Sequence, residues 1–170
     1  MEKKTLIVGF GFVGRATQYL LEKYCNTEAE IVDPNVMLPM LKNDKWDYVF
    51  LCVPTNPGKD GKLDLSILKE VFNKYDGEQI IRSTVGPDQV SEFKGATFWP
   101  EFLRENSALE DNLSPTRIII SGKSKQAKDF VNTISNCTRN TQTSYRKKIS
   151  LVSFYTWRWD RWYNGRNKKI

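Results

Sequence analysis

Short apolar segments alternate with amphipathic segments along most of this chain. The apolar segments predict strands at 5–8, 29–33, 48–53, 79–82, 96–99 and 117–121. The unbroken run at 48–53 is typical of a central parallel strand that is covered on both faces. This alternation predicts an α/β fold, a three-layer Rossmann-like domain with a doubly wound parallel sheet. The helix after the first strand is predicted from one apolar face of helical period: Val13, Ala16, Thr17, Leu20, Leu21 and Tyr24.

The remaining segments are shorter or more polar. A second helix is predicted to begin near Asp64 and to end at Gly77, and a last helix is predicted from Ser124 to about Asn136. Residues 54–61 and 101–111 are predicted to be loops, and 87–93 a brief helical piece. Residues 35–45, which include Pro39, are predicted to hold at most a couple of helical turns.

A glycine-rich turn follows the first predicted strand. Gly9, Gly11 and Gly14 have the spacing G-x-G-x-x-G, and Asp33 ends the second predicted strand 19 residues beyond Gly14. Gly9 permits a sharp turn, Gly11 lets the backbone approach phosphates, and Gly14 lets the helix pack closely on the strand. The carboxylate of Asp33 lies where such units bind the adenosine ribose. The pattern predicts a dinucleotide site; the alternative is an ordinary strand-turn-helix with a solvated Asp33.

Composition narrows the possible chemistry. The chain has no histidine, which removes the most common general base and the most common zinc ligand, and we expect no metal site. Cys25, Cys52 and Cys137 are far apart, which indicates reduced thiols. No apolar run reaches membrane-spanning length, and Met1–Lys4 leads directly into a strand, so we expect a cytoplasmic protein.

The C-terminal 32 residues differ from the rest. Residues 139–170 carry a charge of +8 and residues 1–138 a charge of −2, and the tail is dense in aromatic and arginine residues without a regular period. We therefore divide the chain into a domain at 1–138 and an irregular basic aromatic tail at 139–170. Three interpretations of the tail stay open. It is a disordered or frameshift-derived segment, an arm that binds nucleic acid or an anionic membrane, or a cover for an exposed face or a dimer contact.

Four segments together resemble a known family. They are Val8–Gly14 (VGFGFVG), Leu51–Thr55 (LCVPT), Arg82–Val85 (RSTV) and Pro100–Glu105 (PEFLRE). The last continues through Ser107–Asp111 to Pro115–Ile120 in a family-like way. In this order they resemble the N-terminal domain of the UDP-glucose/GDP-mannose dehydrogenase family, and the PEFLRE segment is the most specific of them. The resemblance covers about residues 3 to 135.

The resemblance implies a reaction and roles for the matching residues. The family oxidises the primary alcohol of a nucleotide sugar to a carboxylate by two hydride transfers to NAD. Cofactor contacts are implied for Gly9, Phe10, Gly11, Phe12, Val13, Gly14, Asp33, Val53, Pro54, Thr55, Thr84 and Glu101. Substrate contacts are implied for Phe102, Leu103, Arg104 and Glu105. Catalytic roles are implied for Thr84, Glu101 and Glu105, with Glu101 near a catalytic water and Glu105 in water-mediated acid–base chemistry.

Departures from the family limit these expectations. The family continues into a helical central domain and a second nucleotide-binding domain, which carry a nucleophilic cysteine followed by Pro-Lys-Asp and a catalytic lysine-and-asparagine pair. None of the three cysteines here is followed by Pro-Lys-Asp. The segment between Asp33 and Asp47 is shorter than in the family, and Trp99 stands where a small polar residue usually precedes Pro-Glu.

We therefore expect a truncated, NAD-binding domain of nucleotide-sugar dehydrogenase descent that is incomplete as an enzyme on its own. One alternative is a minimal dehydrogenase that performs only the alcohol step, or one completed by a homodimer or another chain. The other alternative is a dinucleotide-binding module without catalysis.

Overall fold

Five parallel strands form one sheet in the order β2-β1-β3-β4-β5. The computed structural model describes residues 3–36, 41–58, 60–113, 119–122, 124–126, 129, 130 and 133. The strands are β1 (Thr5–Val8), β2 (Ala29–Val32), β3 (Lys45–Leu51), β4 (Asp76–Ile81) and β5 (Thr97–Phe98). The helices are α1 (Phe12–Cys25), α2 (Ser66–Val71) and α3 (Ala108–Leu113), with 3-10 turns at Val90–Glu92 and Glu105–Ser107.

Alternate side chains of the strands enter two separate cores, as the twofold repeat of a strand requires. Leu6 and Val8 of β1 pack with Leu68 of α2 on one face of the sheet. Ile7 packs on the other face with Leu20 of α1. Helices therefore cover both faces, and the three-layer, doubly wound prediction is confirmed.

The strand order places a topological switch point between β1 and β3. β1 pairs with β2 on one side and with β3 on the other, so Ile7 lies between Ile31 and Phe50. The chain runs outward from this point in both directions. In such sheets ligands bind in the crevice at the carboxyl ends of the two strands that flank the switch.

The predicted helix from Asp64 to Gly77 is wrong in its extent. α2 ends at Val71, because Phe72 is extended and Asn73 adopts a left-handed φ of 59°. Gly77 does not end a helix but lies within β4. It has a φ of +157°, and a Cβ there would lie 2.6 Å from the Trp46 carbonyl oxygen. The glycine is needed because β4 passes so close to β3.

Two other local predictions need correction. Residues 101–111 are not a plain loop, because a 3-10 turn and most of α3 lie there. The predicted sixth strand at 117–121 is described only from 119 onward, where Ser121 forms an isolated antiparallel bridge with Phe98. The last predicted helix is helical at each of its described positions from 125 to 133. The proposed tail, 139–170, lies outside the described residues.

Candidate functional site

The three glycines of the turn have different surroundings. Gly9 has a φ of +92°, and a Cβ there would lie 2.6 Å from the Cys52 carbonyl oxygen. A Cβ on Gly14 would overlap the carbonyl oxygen of Gly9. A Cβ on Gly11, in contrast, would meet no described atom within 4 Å. Gly9 and Gly14 are therefore required by the protein's own packing, whereas the side of Gly11 faces space that is open among the described residues.

The amino-terminal end of α1 opens onto this space. Gly11 is the N-cap residue, so no side chain caps the helix, and the first turn contains no acidic residue. The first N–H groups of a helix lack partners within the helix and carry a partial positive charge. Arg15 adds a full positive charge, and its Nε donates to the Phe10 carbonyl oxygen at 3.2 Å. Donors and charge at this end of the helix suit a phosphate group.

Asp33 is linked directly to the glycine turn. Its Oδ2 accepts a hydrogen bond from the Phe10 backbone N–H at 2.6 Å, and its Oδ1 accepts one from Asn35 N at 2.8 Å. The carboxylate is half-buried at the end of β2. The two parts of the predicted site, the turn and the ribose-binding acid, are therefore adjacent.

The carboxyl ends of β3 and β4 form the other side of the crevice. Ser83 Oγ donates to the carbonyl oxygens of Val53 at 2.8 Å and of Leu51 at 3.2 Å, which ties the two strand ends together. Thr84 follows directly and is exposed. Pro54 is exposed and Thr55 is half-buried in the loop after β3.

The Pro100–Glu105 segment follows β5 at the same edge of the sheet. Glu101 is half-buried, and its Oε2 accepts a hydrogen bond from Leu103 N at 2.9 Å. Phe102 is 51% exposed, more than the other exposed large apolar side chains of the described residues. Glu105 is exposed in the 3-10 turn. The half-buried Glu101 and the exposed Glu105 are thus held in different environments.

Arg104 is engaged by an acid of the same segment. Its Nη2 and Nε contact Asp111 Oδ1 and Oδ2 at 2.8 and 3.0 Å, and its backbone N–H also donates to Oδ2. These hydrogen bonds hold the pKa of Asp111 well below its usual range. The pair is a forked, charge-assisted contact that closes residues 104–111 into a compact unit.

Two buried polar groups lie beneath the crevice. Burial raises the pKa of the Cys52 thiol to about 11, although Arg82 and a contact with Thr17 act in the opposite direction. A thiol with this pKa is almost entirely protonated at neutral pH and is a poor nucleophile. Arg82 is itself buried and contacts Trp99 and Asn112.

Comparison with known proteins identifies the family. The model of the UDP-glucose/GDP-mannose dehydrogenase family, NAD binding domain, matches residues 40–138, more than half of the chain. The chain belongs to this family. The match includes the segments at 51–55, 82–85 and 100–105 but begins after the glycine turn. NAD, the cofactor predicted from the sequence, is the one for which the family's domain is named.

Individual relatives agree with this assignment, and each match covers only part of this chain and part of the relative. A UDP-glucose 6-dehydrogenase of Rickettsia bellii is 36% identical over 110 residues, which are 55% of this chain and 25% of that protein. One of Campylobacter jejuni is 30% identical over 168 residues, 71% of this chain and 42% of that protein. The chain thus spans a quarter to two fifths of the length of these relatives.

A solved structure supports the fold. A ternary complex of GDP-mannose dehydrogenase from Pseudomonas aeruginosa matches with a TM-score of 0.60 at 22% identity, over 78% of this chain and 44% of that one. At this identity the likeness concerns the fold alone. Among the described residues, no helix is long and apolar enough to cross a membrane, and no group of acids and cysteines is arranged to hold a metal ion.

The structure brings most of the predicted site residues to one edge of the sheet. The glycine turn, Asp33, the loop after β3, Thr84 and Glu101 all follow the carboxyl ends of strands. Sequence reasoning assigned no role to Arg15 or Asn112, and none to Arg82 although it begins the RSTV segment. The position of Arg15 directly after the third glycine was a usable signal for a phosphate contact. Nothing in the sequence indicated that Arg82 is buried against Asn112.

Proposed function

We propose that this chain binds NAD in the crevice above β1 and β3. The pyrophosphate lies over the amino end of α1 beside Gly11, and the carboxylate of Asp33 accepts hydrogen bonds from the adenosine ribose. The observation that carries this proposal is the open space at Gly11, between two glycines that are closely packed. Phe10, Phe12 and Val13 complete the turn, and Arg15 adds charge for the phosphates.

The nicotinamide half is then directed past the end of β3 toward β4. With the adenosine at β2 and the pyrophosphate over α1, the remaining half of an extended dinucleotide runs to the opposite side of the switch point. Val53, Pro54 and Thr55 line the adenosine-ribose side of the path, and Thr84 and Glu101 lie near the nicotinamide. NAD, when bound, supplies the hydride acceptor.

The substrate that we propose is a nucleotide sugar of the UDP-glucose type. Phe102, Leu103, Arg104 and Glu105 contribute to its binding, with Glu101 and Glu105 moving protons as the alcohol is oxidised. Arg104 is already paired with Asp111, so it contacts a substrate only in competition with that acid or alongside it.

The sequence does not contain the cysteine motif with which the family finishes the oxidation. Cys52 is buried with a raised pKa, and no cysteine of the chain is followed by Pro-Lys-Asp. The step from aldehyde to acid therefore lacks the family's nucleophilic cysteine segment, which would supply the thiol for a covalent intermediate. We infer that this chain contributes the cofactor half of a nucleotide-sugar 6-dehydrogenase and that further polypeptide, such as a complementing chain, completes it.

Two broader assignments belong to the same proposal. Residues 1–138 form the NAD-binding domain and residues 139–170 a separate basic aromatic tail, supported by the charge difference between them. We propose that the protein is located in the cytoplasm, because widely spaced cysteines and a buried free thiol at Cys52 are typical of a reducing compartment.

Calorimetric titration with NAD, paired with an assay for NADH production from UDP-glucose, tests the function. We expect NAD binding without turnover by the purified chain, and binding that is weakened at least about tenfold in Asp33→Ala, the loss of a charge-assisted hydrogen bond. Turnover by the purified chain would establish the minimal dehydrogenase instead. Absence of NAD binding would refute the proposal.

NAD binding that no complementing chain converts into turnover would favour the alternative of a non-catalytic dinucleotide-binding module.

The control for Asp33→Ala is Asp76→Asn. This substitution removes an exposed ion pair with Lys45 at the amino ends of the strands, and we expect it to leave NAD binding unchanged.

A further inference from the structure

Arg82, at the carboxyl end of β4, is the most deeply buried charge of the described residues. It is 1% exposed, and its Nε and Nη1 have no hydrogen-bond partner among those residues. Burial lowers the pKa of the guanidinium to about 10, so it is protonated at neutral pH. A buried charge with incomplete pairing costs stability. The presence of this buried charge therefore needs a reason other than stability.

Those contacts join three parts of the crevice. The Arg82 Cζ lies 3.8 Å from the centre of the Trp99 ring, and Trp99 directly precedes Pro100 and Glu101. Nη2 donates to Asn112 Oδ1 at 3.1 Å. Asn112 in turn donates through Nδ2 to the Ala16 carbonyl oxygen at 2.6 Å. One guanidinium thus connects β4, the strand end before Glu101, and, through α3, the helix that begins at the glycine turn.

The charge of Arg82 also reaches the predicted catalytic acid. The Glu101 carboxylate favours the charged form of Arg82 and acts against the effect of burial on its pKa. One oxygen of Glu101 accepts a hydrogen bond from the Leu103 N–H. Its segment is therefore held from two sides, by Trp99 stacked on Arg82 before it and by α3 bound to Arg82 after it.

We propose that Arg82 is a positioning residue that holds the Glu101 segment against α1 and thereby sets how tightly the nicotinamide half of NAD is bound. The inference rests on the NAD binding proposed above. The adenosine and pyrophosphate contacts lie at β2 and the start of α1, and they do not require the segment after β5. Loss of Arg82 therefore affects recognition of nicotinamide more than recognition of the rest of the cofactor.

Titration of the full chain with NAD and with ADP-ribose, which lacks the nicotinamide, tests the proposal. Arg82→Lys keeps the charge, but an ammonium does not stack flat on Trp99 while it also bonds to Asn112. Asn112→Ala cuts the link to α1 and leaves Arg82 in place. We expect each variant to bind NAD about tenfold more weakly, as for a lost charge-assisted hydrogen bond. We expect ADP-ribose affinity to change by less than about twofold in the same variants.

The matched control is Gln79→Met. Gln79 is a buried polar residue of the same strand, three positions earlier, and its Nε2 donates to the carbonyl oxygens of Tyr75 and Gly77. Its replacement is expected to lower the melting temperature without changing the ratio of the two affinities. If Arg82→Lys does not fold, Asn112→Ala carries the test alone.

The outcomes separate this proposal from the proposed function. Wild-type protein that binds neither ligand refutes both. Wild-type binding of both ligands, with an unchanged affinity ratio in the Arg82 and Asn112 variants, overturns the positioning role and leaves NAD binding intact. An equal loss for both ligands assigns Arg82 a general structural role and also overturns the proposal.

Discussion

Replacing Gly11 with alanine is expected to weaken NAD binding while leaving the fold unchanged. A Cβ at this position meets no described atom within 4 Å, and the backbone, at φ −70° and ψ −163°, is extended and open to any residue. Two small effects on stability oppose each other. Alanine is a poorer N-cap than glycine by about 0.5–1 kcal/mol, and the lower entropy of the unfolded chain returns about 0.4–1 kcal/mol. The free energy of unfolding should therefore change by less than about 0.5 kcal/mol.

Binding should respond very differently to the same substitution. The new methyl group occupies the space through which the pyrophosphate approaches the N–H groups at the start of α1. Displacing the phosphates from even one charge-assisted hydrogen bond costs about 1.5–3 kcal/mol. We therefore expect NAD and ADP-ribose affinities to fall by about tenfold or more, measured by calorimetric titration.

Gly14→Ala provides the contrasting case. Its Cβ would overlap the Gly9 carbonyl oxygen, a backbone atom that has no rotamer to change. Alanine raises helix propensity by up to about 1 kcal/mol, but overpacking costs about 1–3 kcal/mol or more. We expect a net loss of about 1–2 kcal/mol, seen as a melting temperature lower by roughly 3–10 °C. The reasoning is refuted if Gly11→Ala binds NAD like the wild type, or if it destabilises the protein as much as Gly14→Ala does.

Two further predictions follow from pKa shifts. The pKa of Asp111 is held below its ordinary value of 3.8 by Arg104, so the stability that this pair contributes is present above that value and is lost as the pH falls below it. The melting temperature of Asp111→Asn should therefore depend less on pH between about 4 and 2 than that of the wild type. Parallel curves of melting temperature against pH for the two proteins would contradict this. The pKa of the buried Cys52 thiol is raised from 9.0 to about 11. In a variant whose two other cysteines are replaced by serine, the native protein should therefore react with a disulfide reagent at pH 8 about a hundredfold more slowly than the denatured protein. Fast labelling of the native state would contradict this and show that the thiol is accessible.

The elements that the sequence predicted well are those with a local physical cause. The apolar run at 48–53 fits a central strand, and β3 lies between β1 and β4 in the sheet. The spacing of apolar residues after Gly11 predicts a helix, and α1 spans Phe12–Cys25. The apolar residues of α1 repeat with the helical period, and the unbroken apolar run of β3 matches burial on both faces, so in each case a short window contains the information.

The elements that the sequence predicted poorly depend on neighbours distant along the chain. Gly77 has the local signature of a helix end, yet its conformation serves the close approach of β4 to Trp46. The polar composition of 101–111 is typical of a loop, yet α3 forms there, because Asn112 bonds to Arg82 and to Ala16, which is 96 residues away. No local window includes these partners.

For the candidate site, the sequence by itself determined the kinds of residue and their spacing along the chain: the glycine fingerprint, Asp33 after the second strand, and the PEFLRE segment. These follow from local chemistry, since turns, strand ends and phosphate-binding helix starts each need particular residue types at fixed offsets. Only the tertiary structure decided which of these residues are neighbours and which side chains are engaged: Asp33 bonded to Phe10, Arg104 paired with Asp111, and Arg82 buried under the crevice. Burial and pairing depend on contacts between segments far apart in sequence, and therefore appear only when the chain is folded.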